Sequence, residues 1–127
     1  MRLRYPVPLK PNRTYTHRQA WIVLASEPGF PAVGVLVVRE KKRLDQPWDV
    51  SRYAVVELTF DQGRRFKLTK ADKTVYHLLI PAGGTDRCDC TGYDRFGRCK
   101  HTEAVRAVER AGGLPWVLDY PALTQTA

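Results

Sequence analysis

Residues 88–101 read CDCTGYDRFGRCKH. This segment contains all three cysteines of the 127-residue chain and one of its three histidines, arranged as Cys-x-Cys, an eight-residue spacer and Cys-x-His. Zinc prefers thiolate and imidazole ligands at the four corners of a tetrahedron, and two close pairs joined by a short spacer can supply them. The sequence therefore predicts a zinc site. The predicted ligands are Cys88, Cys90, Cys99 and His101.

The competing interpretation of this segment is three buried thiols without a metal. It leaves unexplained the histidine that stands two residues after the last cysteine. A thioredoxin-like redox site needs Cys-x-x-Cys, which the segment lacks. Because four protein ligands leave no open position for an activated water, we expect one structural zinc ion and not a catalytic one. The other two histidines, His17 and His77, stand alone in the sequence and are assigned no ligand role.

Runs of β-branched and aromatic residues before the cysteines indicate strands. The predicted strands cover residues 14–26, 33–38, 53–60, 65–69 and 74–80. For the first of these, a helix over 18–25 is also compatible with the short apolar run. In the third, Ala54, Val56, Leu58 and Phe60 alternate with their neighbours, which places one apolar row on a single face of a half-buried strand.

After the cysteines, apolar residues recur at helical spacing between 100 and 111, which predicts an amphipathic helix that ends at Gly112 and Gly113. The predicted fold class is therefore α+β. It consists of a small antiparallel sheet of about five strands, followed by a zinc-stapled turn and one C-terminal helix.

The chain length and composition favour one compact domain. A 127-residue chain that is 43% hydrophobic and 27% charged has the composition of a folded protein with room for one core. We expect a basic extended arm over residues 1–13, which carries Pro6, Pro8 and Pro11, and a single domain over 14–120. Residues 121–127 form a tail.

Cys-x-Cys, a spacer and Cys-x-His at a helix start, preceded by strands, resembles the SWIM zinc finger. The similarity covers a unit at about 60–112 and includes Gly63, Tyr76 and the Cys-Lys-His triplet at 99–101. The resemblance implies that the four predicted ligands bind zinc in a strand-strand-helix unit that contacts DNA or other proteins. SWIM fingers accompany transposases, bacterial helicase-related proteins and ubiquitin-pathway proteins, so the resemblance implies a module and not a particular task.

The net charge of +8 at pH 7 makes nucleic acid the leading partner. Residues 86–110 hold six basic and five acidic residues, so the finger is near neutral and any polyanion contact should lie elsewhere. The candidate nucleic-acid-binding residues are Arg2, Arg4, Arg13, Lys41, Lys42, Arg43, Arg64, Arg65 and Lys67. Basic runs are also common on solvated surfaces, which leaves open a protein–protein interaction adaptor whose charge serves solubility.

Other classes of protein have little support in the sequence. We find no nucleophile with its base, no paired carboxylates and no P-loop, so we expect neither an enzyme nor a small-molecule substrate. The longest apolar runs fall far short of the about 20 residues that cross a bilayer. The first residues do not form a secretory signal, and three cysteines cannot all pair with one another, so we expect a cytoplasmic protein.

Overall fold

The computed structural model describes residues 2–3, 6–24, 32–60, 63–81, 83, 85–97 and 99–112. The strands in these ranges are β1 Arg2–Leu3, β2 Val7–Pro8, β3 His17–Leu24, β4 Ala32–Lys41, β5 Asp49–Phe60, β6 Gly63–Thr69, β7 Val75–Ile80 and β8 Arg87–Cys88. The helices are α1 Thr91–Phe96 and α2 Lys100–Arg110. Neither of these helices is long and apolar enough to span a bilayer.

The strands form one antiparallel sheet in which each strand from β3 to β8 pairs with the next along the chain. The short strands β1 and β2 both pair with β3, so the predicted N-terminal arm contributes to the sheet. Helix α2 contacts both β3 and β7, which would lie about 19 Å apart in a flat sheet at the usual strand spacing. The sheet therefore curves round α2 as a half-barrel.

The predicted α+β fold with about five strands and one helix is wrong. The described residues are mostly β, and a second helix, α1, occupies the spacer between the two ligand pairs. Strands β1, β2 and β8 have two residues each, which is too short for alternation to appear in a sequence. The six residues of α1 are likewise too few to show a helical period.

The core lies between α2 and the side of the sheet that the helix covers. We call this side the inner face and the opposite side, formed by the alternate residues of β3–β7, the outer face. The buried apolar residues of the inner face are Ala20, Ile22, Leu36, Val38, Tyr53, Val55, Phe66, Leu68, Leu78 and Ile80. Ala104, Val105 and Val108 of α2 belong to the same cluster, which gives the helix the amphipathic character predicted from its sequence.

Strand β5 turns the predicted apolar row away from the core. Tyr53, Val55 and Glu57 are buried on the inner face, whereas Ala54 is exposed and Val56 half-buried on the outer face. The orientation expected from the sequence is therefore wrong. Both rows of β5 are largely apolar, so alternation alone cannot show which of them meets the core.

A buried arginine joins the sheet, the N-terminal segment and α2. The Arg18 Nε donates to Glu40 Oε2 at 2.7 Å, Nη1 donates to the Lys10 carbonyl oxygen at 2.9 Å, and Nη2 donates to Glu103 Oε1 at 3.2 Å. Because a buried charge is stable only with such partners, these contacts tie α2 to β3, β4 and the N-terminal segment.

Some sequence predictions lie outside the described residues. These are Arg4, residues 25 and 26 of the first predicted strand, and the segment 113–127, which includes the expected tail.

Candidate metal centre

Three elements bring the four predicted ligands together. Cys88 is the last residue of β8, Cys90 is the N-cap of α1, and Cys99 is the N-cap of α2, with His101 in the first turn of that helix. The last strand of the sheet and the starts of both helices therefore meet at this cluster.

The geometry of this cluster fits tetrahedral coordination. One ligand atom from each of the four residues lies within 4.8 Å of all the others. The Cys88 Sγ lies 3.8 Å from the His101 Nδ1. Around a zinc ion with sulfur and nitrogen ligands at their usual distances, neighbouring ligand atoms lie about 3.5–3.8 Å apart. The four residues are 6–9% exposed, so the cluster is also closed to bulk water.

Each helix begins at a cysteine sulfur. The Cys90 Sγ accepts a hydrogen bond from the Tyr93 amide at 3.3 Å, and the Cys99 Sγ accepts one from the Thr102 amide at 3.5 Å. The unpaired amides at a helix start carry partial positive charge, which stabilises a thiolate. Both caps therefore favour the anionic form of sulfur that metals bind.

The thiols are close enough to shift one another's pKa. The hydrogen bond with Cys88 lowers the pKa of Cys99 to about 3, and contacts with His101 and Thr102 act in the same direction. The hydrogen bond with Cys99, together with burial, raises the pKa of Cys88. Burial is also the main cause that raises the pKa of Cys90. One thiolate is thus stable without a cation, and a divalent cation supplies the charge that two further thiolates need.

Two tyrosines hold the imidazole of His101. Tyr76 on β7 stacks on it, with ring centroids 4.2 Å apart, and Tyr53 on β5 meets it edge-on at 5.2 Å. The spacer between the two ligand pairs carries two aromatic residues of its own, Tyr93 and Phe96. Of these, Tyr93 is half-buried against the core, and the side chain of Phe96 lies outside the described residues.

The two histidines that were assigned no ligand role are not members of this cluster. His77 is exposed on the outer face, and its Nδ1 lies 2.9 Å from Asp89 Oδ2. Within the described ranges, the three cysteines and His101 are the one group of three or more metal-ligating side chains that converges. The four residues could therefore hold a metal ion.

The candidate nucleic-acid residues occupy different surfaces. Lys41, Arg65 and Lys67 point to the outer face of the sheet. Lys42 and Arg43 are exposed in the connection between β4 and β5. Nucleic-acid binding by these residues stays a prediction.

The remaining candidates lie in the N-terminal segment and on the inner face. Arg13 is exposed, whereas the side chain of Arg2 and the whole of Arg4 lie outside the described residues. Arg64 points to the inner face, where Nε and Nη2 each donate to the Glu57 carboxylate at 2.6 Å. Because its charge is neutralised there, Arg64 is not part of the basic surface.

Strands β3–β7 separate charge between their faces. The three acidic residues of these strands occupy inward positions. Five of the seven Lys and Arg residues in the same strands occupy outward positions. The five outward residues are Arg39, Lys41, Arg52, Arg65 and Lys67. All charged Lys, Arg, Asp and Glu side chains on the outer face of these strands are therefore basic.

Two residues of this outer face, Arg39 and Arg52, were not among the basic residues predicted from the sequence. Arg39 precedes Lys41 by two residues in a strand, a spacing that puts both on one face, so the alternation could have identified it. Arg52 lies across from Val37, a pairing that only the strand register specifies.

A scan against protein-family models and searches of curated proteins and of solved structures found no match. The resemblance to the SWIM finger therefore rests on the ligand pattern and its surrounding residues.

Proposed function

We propose that the protein is a zinc-stabilised binding module that contacts nucleic acid through the outer face of its sheet. In this proposal the cluster is a SWIM-type finger whose ion is zinc, because three thiolates and one imidazole form a ligand set that zinc prefers. Four protein ligands leave no position for water or substrate, so the ion is structural in this proposal. The same proposal makes the protein a binding module and not an enzyme. We keep the cytoplasm as the predicted location.

The position of the cluster supports a structural role for the ion. Its ligands come from the end of β8 and from the caps of α1 and α2, so one ion would join three elements. Structural zinc contributes on the order of 10 kcal/mol to the folding of small domains. Helix α2 has only 11 residues, so a link between its start and the sheet would add much to its stability.

Elemental analysis of the purified protein tests the metal. We expect one zinc per chain, and we expect His101→Gln to reduce both the zinc content and the cooperativity of unfolding. His77→Gln is the matched control, because His77 is exposed and lies outside the cluster. If the metal-free protein unfolds as cooperatively as the zinc-loaded protein and with the same free energy of unfolding, this part of the proposal is contradicted.

The charge separation of the sheet is the single observation that carries the nucleic-acid part. The acidic residues Glu40 and Glu57 face inward, where Arg18 and Arg64 neutralise them. The outward positions of β3–β7 hold five basic residues and no acidic one, in a chain of net charge +8. Since a phosphate backbone is bound mainly through Lys and Arg, this face is complementary to nucleic acid.

Salt dependence tests the nucleic-acid part. For about four phosphate contacts, affinity should fall on the order of 100-fold between 50 and 200 mM salt. Arg52→Gln and Lys67→Gln should each weaken binding and reduce the salt slope by about one contact. Arg110→Gln, which removes an exposed charge at the end of α2, is the control. If neither single-stranded nor duplex nucleic acid binds at low salt, the proposal fails.

The second candidate function, a protein–protein interaction adaptor, is favoured by apolar side chains on the same outer face. Val33, Val35 and Val50 are 40%, 37% and 42% exposed. For this function, a protein partner should bind the purified chain in a fixed ratio after nuclease treatment, and binding should weaken in Val35→Lys.

A further inference from the structure

We infer that Trp21, Arg39, Lys41 and Trp48 form a stacking site for the bases of a single-stranded nucleic acid. The four side chains, which we call the indole–cation cluster, lie at the end of the outer face where β3, β4 and the residue before β5 meet. The inference rests on the proposed function and names the form of nucleic acid that the outer face would bind.

The cluster is a set of cations placed over indole rings. The Arg39 guanidinium carbon lies 5.1 Å from the centre of the Trp21 ring and 4.4 Å from that of Trp48. The Lys41 Nζ lies 4.4 Å from the centre of the Trp48 ring. Both indoles are half-buried, so each fixed ring still presents part of its surface to solvent.

The charges of this cluster are held in place and not neutralised by the residues that hold them. The Arg39 Nε and Nη2 both donate to the Gln19 side-chain oxygen, at 2.8 and 2.6 Å, and that amide carries no charge. The Lys41 Nζ donates to the Leu44 carbonyl oxygen at 3.1 Å. Neither cation contacts a carboxylate in the described part of the chain. An anion can therefore bind there without displacing an internal ion pair.

Strand register continues the cluster along the face. Trp21 lies opposite Val37 of β4, and Val37 lies opposite Arg52 of β5, so a third cation lies in the same cross-strand row as Trp21. Val37 itself is only 6% exposed, so the row has a packed floor. The row thus places an indole and a cation on either side of a packed valine, next to the other members of the cluster.

A single strand fits this arrangement better than a duplex or an acidic peptide. Unstacked bases offer planar faces to aromatic rings and to guanidinium groups, and the phosphates between them meet the cations. In a duplex the bases are already stacked on one another, so only the phosphates are available. An acidic peptide matches the charges but brings no regular series of planar groups.

The test compares three probes of about 12 nucleotides per strand, which is within the usual range of single-strand sites. The two single-stranded probes carry equal charge, whereas the duplex carries twice as many phosphates. The probes are a single-stranded oligonucleotide, its duplex and an abasic strand with the same phosphates. Binding is followed by anisotropy and by tryptophan emission in Trp116→Phe, which leaves Trp21 and Trp48 as the two indoles of the chain. We expect the strand with bases to bind about 10-fold or more tightly than the abasic strand and to quench the emission.

Variants locate the site. Trp48→Leu and Trp21→Leu should each weaken binding of the single strand about 10-fold and leave abasic binding nearly unchanged, whereas Trp48→Phe keeps a ring and most of the affinity. Arg110→Gln is the control for a general loss of charge. Circular dichroism and zinc content identify any variant that has lost its fold. The comparison with the abasic strand uses no variant of the cluster, so it tests the inference even if those variants do not fold.

The outcomes separate this inference from the function on which it rests. Equal binding of the abasic strand and the strand with bases, without quenching, overturns the stacking site and leaves nucleic-acid binding standing. No binding of any of the three probes at low salt overturns both. If a poly-glutamate peptide quenches the tryptophan emission and binds as tightly as the single strand with bases, the inference is overturned in favour of an acidic protein partner.

Discussion

The phenol ring of Tyr76 stacks on the imidazole of His101, with 4.2 Å between the ring centroids and 27° between the planes. Tyr76 lies on β7 and Tyr53 lies on β5, and the two rings meet the imidazole in stacked and edge-on geometry. The orientation of one predicted ligand is therefore set by the sheet and not only by the helix that carries it.

Replacing this ring should loosen the metal site. We expect Tyr76→Leu to lower the free energy of unfolding of the zinc-loaded protein by about 1 kcal/mol, because an aromatic pair adds that much beyond its buried area. Zinc transfer to a chromophoric chelator should also become faster. Tyr76→Phe keeps the ring and should behave as the parent chain. Equal transfer rates in the leucine and phenylalanine variants would show that stacking does not restrain His101.

Once the metal is removed, the free energy of unfolding should fall as the pH becomes alkaline. The pKa of Cys88 and that of Cys90 are raised above 9.0 in the folded chain without a cation, so the folded state holds these protons more tightly than the unfolded state. Their contribution to stability is complete below pH 9.0 and is lost as the pH rises further. Chelated, reduced protein should therefore lose stability above that pH.

The pKa of Cys99 is lowered to about 3, so this thiol acts with the opposite sign. Its contribution is present above its unfolded pKa and is lost as the pH falls toward 3. Urea titrations across this range measure both effects. Zinc-loaded protein is the control, because its sulfurs are already deprotonated and alkaline pH removes no proton from them. A flat profile of the chelated protein between pH 8 and 10 would contradict the prediction.

Removing one partner of the buried Arg18–Glu40 pair should lower the free energy of unfolding strongly, whereas replacing both partners should lower it much less. Arg18→Met leaves the Glu40 carboxylate buried without its 2.7 Å partner, and we expect a loss of about 3–5 kcal/mol in urea denaturation. The double variant Arg18→Met with Glu40→Met removes both charges and should recover much of that loss. If the double variant is no more stable than the single one, the bonds from Arg18 to Lys10 and Glu103 matter more than the ion pair.

Gly63 should tolerate alanine less well than Gly97 does. Both residues have positive φ, +140° and +70°. A Cβ on Gly63 would lie 2.8 Å from the Pro81 Cα, whereas a Cβ on Gly97 would meet nothing within 4 Å. We expect Gly63→Ala to cost about 1–3 kcal/mol and Gly97→Ala about 1 kcal/mol in chemical denaturation of the loaded protein. Equal losses would mean that the chain at Pro81, directly after β7, moves to admit the methyl group.

The ligand set could be predicted from the sequence because its information is local. The spacings within 88–90 and 99–101 bring side chains together over a few bonds, and a helix start positions the second pair. Helix α1 could not be predicted, because six residues show no period and its start depends on the Cys90 sulfur that caps it.

The faces of the sheet needed the tertiary structure. Tyr53 and Val56 lie on opposite sides of β5, and both are apolar enough for a core. The inner face is selected by contact with α2 and by the pairing of Glu57 with Arg64, which lie on different strands. The contact of Arg39 with Trp48 likewise joins different segments of the chain, so no local pattern contains it.

A cysteine caps each helix, so the same sulfur accepts the capping hydrogen bond and could bind the metal. Substitutions can separate these two roles. Serine is among the best residues at a helix start, but its hydroxyl is a poor zinc ligand. In Cys99→Ser the amide of Thr102 keeps an acceptor while the metal loses a ligand, whereas Cys99→Ala removes both. The difference in stability between these two substitutions, about 1 kcal/mol for a typical cap, measures how far α2 can begin without its ion.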